Sequence, residues 1–339
     1  MLKIGYIGNG KSTNRYHLPF VLQRENLQVK TIYRRNPDHD SWQKPDHIHY
    51  TTDLNELLND TEIELIVITT LQDSHYEYAK RALDHDKHVL VEKPFMLTAA
   101  QAEDIFSYAK QKGLIVQCYQ NRRFDSDFLT VQKVIESGKL GDLLEVEMHY
   151  DYFRPEVPEN THHFDPYASF LYGHGCHTLD QVISYFGKPD SVHYEVRQLL
   201  GSGRLNDYFD LDLFYDRLKI SVNSSYYRIK PRPSFVVYGK NGMFVKETKD
   251  RQEEHLKLFY LPEGHPDFGL DLPEHYGTLT YLDENGLYHE EKVPSEKGDY
   301  GRIYDGLYEM IRHGAAKIVR DEETLLQMQM LETGIKECH

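Results

Sequence analysis

The apolar residues in the first third of the chain fall into short runs that alternate with helix-like segments. Five of these runs predict buried strands, at residues 3–8, 29–33, 64–70, 88–94 and 114–120. The segments after the third and fourth runs predict helices, and the later helix ends at Gly113, a residue suited to a helix C-terminus. Nearly continuous apolar strands separated by helices are typical of a parallel, doubly wound sheet.

The hydrophobic period changes to two after residue 121. Residues 145–152 alternate between apolar and polar side chains, as do the runs on either side of Asp216 and Arg217. Asn-Gly pairs at residues 241–242 and 285–286 each separate strand-like runs, and this dipeptide is a strong hairpin signal. The second part of the chain is therefore predicted to form a mostly antiparallel sheet with one polar face.

We place the domain boundary at residue 121, between an α/β domain (1–121) and an α+β domain (122–339). A length of 339 residues agrees with two domains. Helices are also predicted near residues 300–313 and 321–337. The pattern alone leaves open whether these last helices pack on the first or the second domain.

Charge and cysteine content narrow the class of partner. The formal net charge of −15 at pH 7 argues against a nucleic-acid or anionic-membrane partner, because phosphate binding needs a basic face. No apolar run approaches the roughly 20 residues of a membrane span, and the N-terminus lacks the pattern of a signal peptide. Cys118, Cys176 and Cys338 form no CxxC pair and fit a reducing compartment. We therefore expect a cytoplasmic protein with a small-molecule partner.

A glycine-rich turn follows the first predicted strand in the stretch GYIGNGKST. Gly8 allows a sharp turn from strand to helix, and Gly10 lets backbone N–H groups approach a pyrophosphate at a helix N-terminus. Thr13 stands where the G-x-G-x-x-G motif has its third glycine. The βαβ context favours dinucleotide binding over a turn without a ligand, with Lys11, Ser12 and Thr13 as further contacts.

The end of the second strand indicates which dinucleotide is bound. An acidic residue there would bind the ribose 2′-OH of NAD, whereas arginine would bind the 2′-phosphate of NADP. The stretch IYRRN has Arg34 and Arg35 and no acid before Asp38. We expect NADP rather than NAD, and the alternative is a solvated basic pair on a loop.

Two further stretches carry candidate chemistry. Glu92 and Lys93 stand at the carboxyl end of the fourth strand, the edge where α/β sheets bind ligands; the alternative for Lys93 is a surface lysine. His177 and Asp180, in GHGCHTLD, are three apart and share a helical face. His174, Cys176 and His177 also suggest zinc, but their spacing is poor for one tetrahedral ion, so no metal site is predicted.

These motifs together resemble the Gfo/Idh/MocA family of NAD(P)-dependent oxidoreductases. The resemblance rests on GNG, SHYEYAKRAL, EKPF, QNRRF and GHGCHTLD and runs over nearly the whole chain. It implies a Rossmann domain followed by a domain with a large open antiparallel sheet, through which a homodimer or higher homo-oligomer would form. It also implies hydride transfer between nicotinamide C4 and a carbinol or carbonyl carbon of a sugar, cyclitol or similar polyol.

The resemblance also implies roles for particular residues. Lys93 reaches the cofactor ribose and polarises the substrate oxygen, and the proline after it is often cis. His177 is the acid/base group. Many members have an aspartate four residues before this histidine, where this chain has Gly173. His162, His163, His174 and Asp165 are candidates to fill the gap. If Gly173 means that the usual chemistry is lost, the protein would instead be a non-catalytic NADP-binding sensor or regulator. A zinc-dependent hydrolase, suggested by GHGCH, is a weaker alternative.

The remaining candidates lie in loops and at strand ends. For the cofactor these are Thr70, His75, Glu92 and Asn121. For a hydroxylated or anionic substrate they are Arg122, Tyr152, Arg154, His163, Tyr167, His174 and His177. For Asn121 and Arg122 an interdomain packing and ion-pair role is an equal alternative, and exposed loop residues are usually just solvated.

Overall fold

The computed structural model describes residues 1–36 and 42–338, and the chain forms two compact units. The first unit consists of Met1–Asn121, His255–Phe268 and Tyr300–Met328. The second consists of Arg122–Glu254, Gly269–Asp299 and the chain from Gln329 on. Within the described residues no helix is long and apolar enough to cross a membrane.

The first unit is built on a six-stranded sheet in the order β3-β2-β1-β4-β5-β6, in which every pair is parallel. Its strands are β1 (Leu2–Ile7), β2 (Leu27–Tyr33), β3 (His49–Thr51), β4 (Leu65–Ile68), β5 (His88–Val91) and β6 (Val116–Cys118). All four side chains of β4 are buried, as expected for a strand covered on both faces. The prediction of a doubly wound parallel sheet is confirmed; β3 was not predicted, because three residues carry no period.

Ten α-helices accompany the strands in the described part of the chain. They are α1 (Leu18–Val21), α2 (Leu54–Asn59), α3 (His75–Asp84), α4 (Ala99–Lys112), α5 (Ser126–Glu136), α6 (Glu156–Glu159), α7 (Cys176–Phe186), α8 (Gln252–Lys257), α9 (Arg302–His313) and α10 (Asp321–Lys336). Local sequence sets the ends of α4: the Thr98 side chain accepts the N–H of Gln101, and Gly113 takes the left-handed conformation (φ 68°).

The second unit is built on an eight-stranded sheet in the order β14-β13-β12-β11-β7-β10-β9-β8. Its strands are β7 (Leu143–His149), β8 (Ser191–Arg197), β9 (Tyr208–Tyr215), β10 (Leu218–Ser225), β11 (Phe235–Gly239), β12 (Gly242–Lys246), β13 (Gly277–Leu282) and β14 (Tyr288–Val293). The pairs are antiparallel except β7–β10, which is parallel. The predicted mostly antiparallel sheet is therefore confirmed, with one parallel pair that alternation alone does not reveal.

The alternation that predicted this sheet reappears in its burial. On β9 the side chains of Phe209, Leu211 and Leu213 are buried, whereas Asp210 and Asp212 between them are partly exposed. The neighbouring strands β7 and β10 also carry charged residues at partly exposed positions, so one face of the sheet is polar. Self-association through this sheet stays a prediction.

Candidate active site

The glycine turn after β1 packs closely against Thr69, which leaves no room for a side chain at Gly8. Gly8 has a φ of 121°, and a Cβ atom there would lie 2.5 Å from Oγ1 of Thr69. Thr13 is buried; its hydroxyl donates to the carbonyl of Gly8 (2.9 Å) and lies 2.7 Å from Oγ1 of Thr69. Thr13 therefore stabilises the turn from its buried side, and we assign it to the turn rather than to direct contact with a cofactor.

The open side of the turn fits the pyrophosphate of a dinucleotide. A Cβ atom at Gly10 would meet no atom within 4 Å, so the backbone there is accessible. Residues 11–21 are helical, which directs the first N–H groups of this segment towards the turn. Lys11 is exposed and Ser12 is half-buried at the same place. The residues present thus suit the cofactor that the motif predicts.

Glu92, directly after β5, links the glycine turn to the backbone of Lys93. Its Oε1 accepts a hydrogen bond from the hydroxyl of Ser12 and lies 3.0 Å from Nε2 of His17. Its Oε2 accepts the N–H of Lys93 at 2.9 Å. One buried carboxylate therefore positions both the start of the helix and the lysine. The Lys93–Pro94 peptide bond is cis.

The His17 ring extends this network into the interior of the first unit. Its Nδ1 lies 2.5 Å from the hydroxyl of Tyr304 on α9, which lies 2.8 Å from the hydroxyl of Tyr6 on β1. The ring also stacks on Tyr119 with 4.0 Å between centroids. A buried polar network with its members paired makes the surrounding structure rigid, so it holds Glu92 in a single position.

The Glu92 network predicts a pH-dependent contribution to stability. Burial alone would raise the pKa of Glu92, but the hydrogen bond and charge of His17, the charge of Lys93 and the Ser12 hydroxyl outweigh it and lower this pKa to about 2. A carboxylate with a lowered folded-state pKa stabilises the folded protein above its unfolded pKa, and that stabilisation is lost as the pH falls.

We expect Glu92→Gln to cost about 3 kcal/mol of unfolding free energy at neutral pH. The difference between wild type and variant should shrink as the pH falls from 4.5 towards about 2. Urea unfolding at a series of pH values measures it, with Glu284→Gln at an exposed turn as the matched control. A difference that stays constant with pH would contradict the assignment.

His75 fixes the loop that follows Lys93. Its buried ring places Nδ1 3.1 Å from the carbonyl oxygens of Pro94 and Phe95, and Nε2 3.1 Å from that of Thr70. Burial lowers the pKa of His75, against the effect of these carbonyls. His75 therefore supports the backbone next to Lys93. The hydroxyl of Thr70, another predicted cofactor residue, accepts a hydrogen bond from Ser74 (2.7 Å).

The arginine pair lies directly after β2. The Arg34 guanidinium lies 5.9 Å from the centroid of the Tyr50 ring, and its side chain is half-buried, whereas Arg35 is exposed. Asp38, the first acid after this strand, lies outside the described residues. A guanidinium oriented by an aromatic ring at this strand end suits a phosphate group.

In the second unit, the HxxD and QNRRF motifs meet through a buried ion pair. Nε and Nη2 of Arg123 each donate to a carboxylate oxygen of Asp180 on α7, both at 2.7 Å. The neighbouring Arg122 pairs with Asp125 (3.2 Å) and with Glu253. Asp180 is therefore a structural partner of Arg123, and the ion-pair role considered for Arg122 is present.

A group of aromatic rings surrounds His174; we call it the ring cluster. Its members are Tyr150, Tyr152, Phe170, His174 and Tyr226. The His174 ring lies 4.6 Å from the Phe170 ring and 5.1 Å from the Tyr152 ring, between centroids. The cluster thus joins two predicted substrate residues, Tyr152 and His174.

His177 is buried on α7, one helical turn after His174. Gly173 lies in a π-helical turn of five residues that directly precedes this helix. A Cβ atom at Gly173 would meet no atom within 4 Å, so this position is open space. The structure therefore leaves room for a side chain or a ligand at this position.

The other predicted substrate residues of the second unit are not members of the ring cluster. Arg154 is exposed beside Glu156 (3.8 Å), and His163 is exposed. Tyr167 packs edge-on against Tyr172 at 5.6 Å between ring centroids. Asn121, predicted to bind the cofactor, is buried at the end of the N-terminal segment of the first unit. The backbone N–H of Arg154 donates to the carbonyl oxygen of Tyr226 at 2.7 Å, so Arg154 is linked to the cluster through its main chain.

Several residues near these groups were not predicted. His17 contacts Glu92 and is itself contacted by Tyr304. Lys249, Glu253 and Arg122 lie next to Tyr150, a member of the ring cluster that was not predicted either. Lys249 and Glu253 are about a hundred residues away in sequence from their tyrosine partner and belong to no motif. Tyr150 had a signal, since it shares the YDYFRP stretch with Tyr152.

No group of three His, Cys, Asp or Glu side chains suited to a metal ion occurs within residues 1–36 and 42–338. Cys118 and Cys176 are buried free thiols. The zinc alternative raised by GHGCH therefore receives no support from the described side chains.

A parallel nucleotide-binding sheet with a glycine turn, joined to a second, mostly antiparallel sheet, defines a two-domain NAD(P)-dependent oxidoreductase. The family model for the oxidoreductase family with an NAD-binding Rossmann fold matches residues 2–120, and the model for its C-terminal alpha/beta domain matches residues 132–339. The chain belongs to the Gfo/Idh/MocA family, and it is a dehydrogenase or reductase acting on CH–OH groups.

Individual relatives extend the match over the full chain. An uncharacterized oxidoreductase, YhhX, of Escherichia coli K12 is 47% identical over 100% of this chain and 97% of its own length. The scyllo-inositol 2-dehydrogenase (NADP(+)) IolW of Bacillus subtilis 168 is 32% identical over 99% and 93%. The crystal structure of a probable oxidoreductase yhhX superposes with a TM-score of 0.93 at 48% identity, covering 99% of this chain and 97% of that one.

Proposed function

We propose that the protein transfers hydride between NADP and a carbinol or carbonyl carbon of a sugar, cyclitol or similar polyol. The observation that carries this proposal is the buried carboxylate of Glu92, which binds Ser12 of the glycine turn and the backbone of Lys93 together. An arrangement that couples a phosphate-binding turn to a lysine suits a reaction in which the cofactor and the reacting oxygen are neighbours.

The chain's own residues would divide the work. Gly8, Gly10 and Ser12 bind the dinucleotide, with Arg34 on its 2′-phosphate. Bound nicotinamide supplies or accepts the hydride. Lys93 donates a hydrogen bond to the reacting oxygen and stabilises the negative charge that develops there. His177 takes the hydroxyl proton in oxidation and returns it in reduction.

The choice of cofactor can be tested at Arg34. We expect Arg34→Ala to weaken NADPH binding about tenfold to a hundredfold, because a charge-assisted contact to the 2′-phosphate is lost. NADH binding should change little, since NADH has no such phosphate. Parallel titrations followed by nicotinamide fluorescence measure both, with Arg35→Ala at the adjacent exposed position as a comparison.

Other results of the same titration would correct the proposal. Tighter binding of NADH than of NADPH by the wild type would replace NADP by NAD and leave the oxidoreductase assignment intact. Equal loss of both cofactors in Arg34→Ala would mean that Arg34 supports the fold rather than the phosphate. The printed name of IolW, which includes NADP(+) and scyllo-inositol, supports the proposed cofactor and makes cyclitols the first substrates to screen.

A further inference from the structure

The second unit contains a largely enclosed cation that has no ion-pair partner among the described residues. Nζ of Lys249 lies 4.1 Å from the centroid of the Tyr150 ring and 4.4 Å from that of the Tyr152 ring. It donates a hydrogen bond to the carbonyl oxygen of Asp151 at 2.7 Å. In the described part of the chain no carboxylate lies within ion-pair distance of this ammonium group.

Of the three acidic side chains whose charges act on Lys249, Asp151 and Glu253 are paired with arginines, and the buried Asp127 accepts the backbone N–H of Phe128. Asp151 accepts two hydrogen bonds from Arg232, both at 2.9 Å. Glu253 pairs with Arg122 and also accepts the hydroxyl of Tyr150 at 3.1 Å. The positive charge of Lys249 is therefore not matched by an ion pair in the described part of the chain, in a protein whose formal net charge is −15. An enclosed charge without a partner is costly, and a binding site is a common reason for keeping one.

The electrostatic surroundings of Lys249 agree with this description. Burial in the first place, and then the charge of Arg122, lower the pKa of Lys249 to about 8, against the opposing charges of Asp151, Glu253 and Asp127. The amine is consequently mostly charged at neutral pH. A bound anion would favour the charged form further, because an opposite charge nearby raises the pKa of an amine.

Lys249 also lies next to a predicted substrate residue. The ammonium group of Lys249 lies over the ring of Tyr152, and this ring contacts the His174 ring with 5.1 Å between centroids. His174 follows Gly173, where the chain has open space instead of a carboxylate. This neighbourhood therefore combines a cation outside any described ion pair with a glycine at the position where the family resemblance implies an aspartate.

We propose that Lys249 binds a carboxylate of the substrate, so that the enzyme acts on an acidic polyol, such as a uronate or aldonate, in preference to a neutral one. This inference rests on the proposed function. An ammonium group has three donors, and the bond to Asp151 leaves two for the anion. A carboxylate matches the single positive charge of Lys249, whereas a phosphate would bring nearly two negative charges.

The test uses matched ligands that differ at a single carbon. Hexoses, the corresponding hexuronates and the corresponding 6-phosphates are titrated calorimetrically into the full-length protein, with and without NADPH. For the wild type we expect a hexuronate to bind about tenfold to a hundredfold more tightly than its hexose. Lys249→Met should abolish that preference, and Lys249→Arg should keep part of it. Circular dichroism and thermal unfolding verify that each variant folds.

The pH dependence provides a second readout. The preference of the wild type for the hexuronate should fall as the pH rises above about 8, because Lys249 loses its charge there. A preference that survives in Lys249→Met would overturn the inference. So would equal binding of the neutral sugar, tighter binding of the 6-phosphates, or binding of none of these ligands.

Failure of this inference can be distinguished from failure of the proposed function. If NADPH binds and a neutral polyol is oxidised while the acids are ignored, the role of Lys249 is wrong and the oxidoreductase mechanism stands. If hexuronates bind in a manner that depends on Lys249 but NADPH does not bind, the anion site stands and the proposed cofactor is wrong.

Discussion

Lys93→Met is expected to lower kcat by about two to four orders of magnitude while NADPH affinity changes little. Methionine keeps much of the length and apolar volume of lysine but cannot donate a hydrogen bond to the reacting oxygen. The loss should therefore fall on the transition state, where negative charge develops on that oxygen. Stopped-flow and steady-state measurements of nicotinamide absorbance give kcat, and fluorescence titration gives the cofactor affinity.

The structure explains why cofactor affinity should survive this change. Glu92 contacts the backbone N–H of Lys93 rather than its side chain, so the link to Ser12 is kept in the variant. Lys110→Met, on the exposed side of α4, is the matched control for removing one lysine charge. Wild-type turnover in Lys93→Met would remove this lysine from the mechanism, and loss of NADPH binding with unchanged kcat would make it a cofactor residue only.

Asp180→Asn is expected to have the largest effect on stability, a loss of about 3–5 kcal/mol. The substitution keeps the shape of the side chain but leaves the buried Arg123 guanidinium without a counter-charge. Both hydrogen bonds of the pair are at 2.7 Å and both side chains are buried, so solvent cannot replace the lost carboxylate. The free energy of unfolding is measured by urea denaturation at neutral pH.

A double variant separates the attraction within the ion pair from the cost of leaving one buried charge without a partner. Arg123→Met combined with Asp180→Leu removes both charges, and we expect it to recover most of the stability, because apolar residues of similar volume often replace a buried pair at little cost. If Asp180→Asn unfolded within about 0.5 kcal/mol of wild type, the pair would not contribute to folding. Asp180 of the HxxD motif would then need a direct role in binding or catalysis.

Short-range patterns predicted the elements that surround the candidate site. The apolar runs correspond to β1, β2, β4, β5 and β6, and the Asn-Gly pairs correspond to the β11–β12 and β13–β14 hairpins. These signals are local, since periodicity and turn chemistry involve residues a few positions apart. The parallel β7–β10 pair was not predictable in this way, because strand pairing across a sheet depends on the connections between distant segments.

The candidate chemistry divides in a similar way. Gly8, Lys93 and His177 stand in short motifs with the required spacing, and so they could be proposed before any contact was known. His17 lies 75 residues from Glu92 and 287 from Tyr304, and no local pattern relates these three side chains. Likewise the sequence pointed to Thr13 as a cofactor contact, whereas its buried hydroxyl closes the glycine turn.

The sequence by itself determined the two kinds of sheet, the glycine turn and the placement of Lys93 at a strand end, because each follows from the order of neighbouring residues. Only the tertiary structure decided which side chains interact around the candidate site. His17 and Ser12 contact Glu92, Asp180 pairs with Arg123, and Lys249 lies over two tyrosine rings. The physical reason is that hydrogen bonds, ion pairs and burial depend on distances in space, and distant segments of the chain supply both partners.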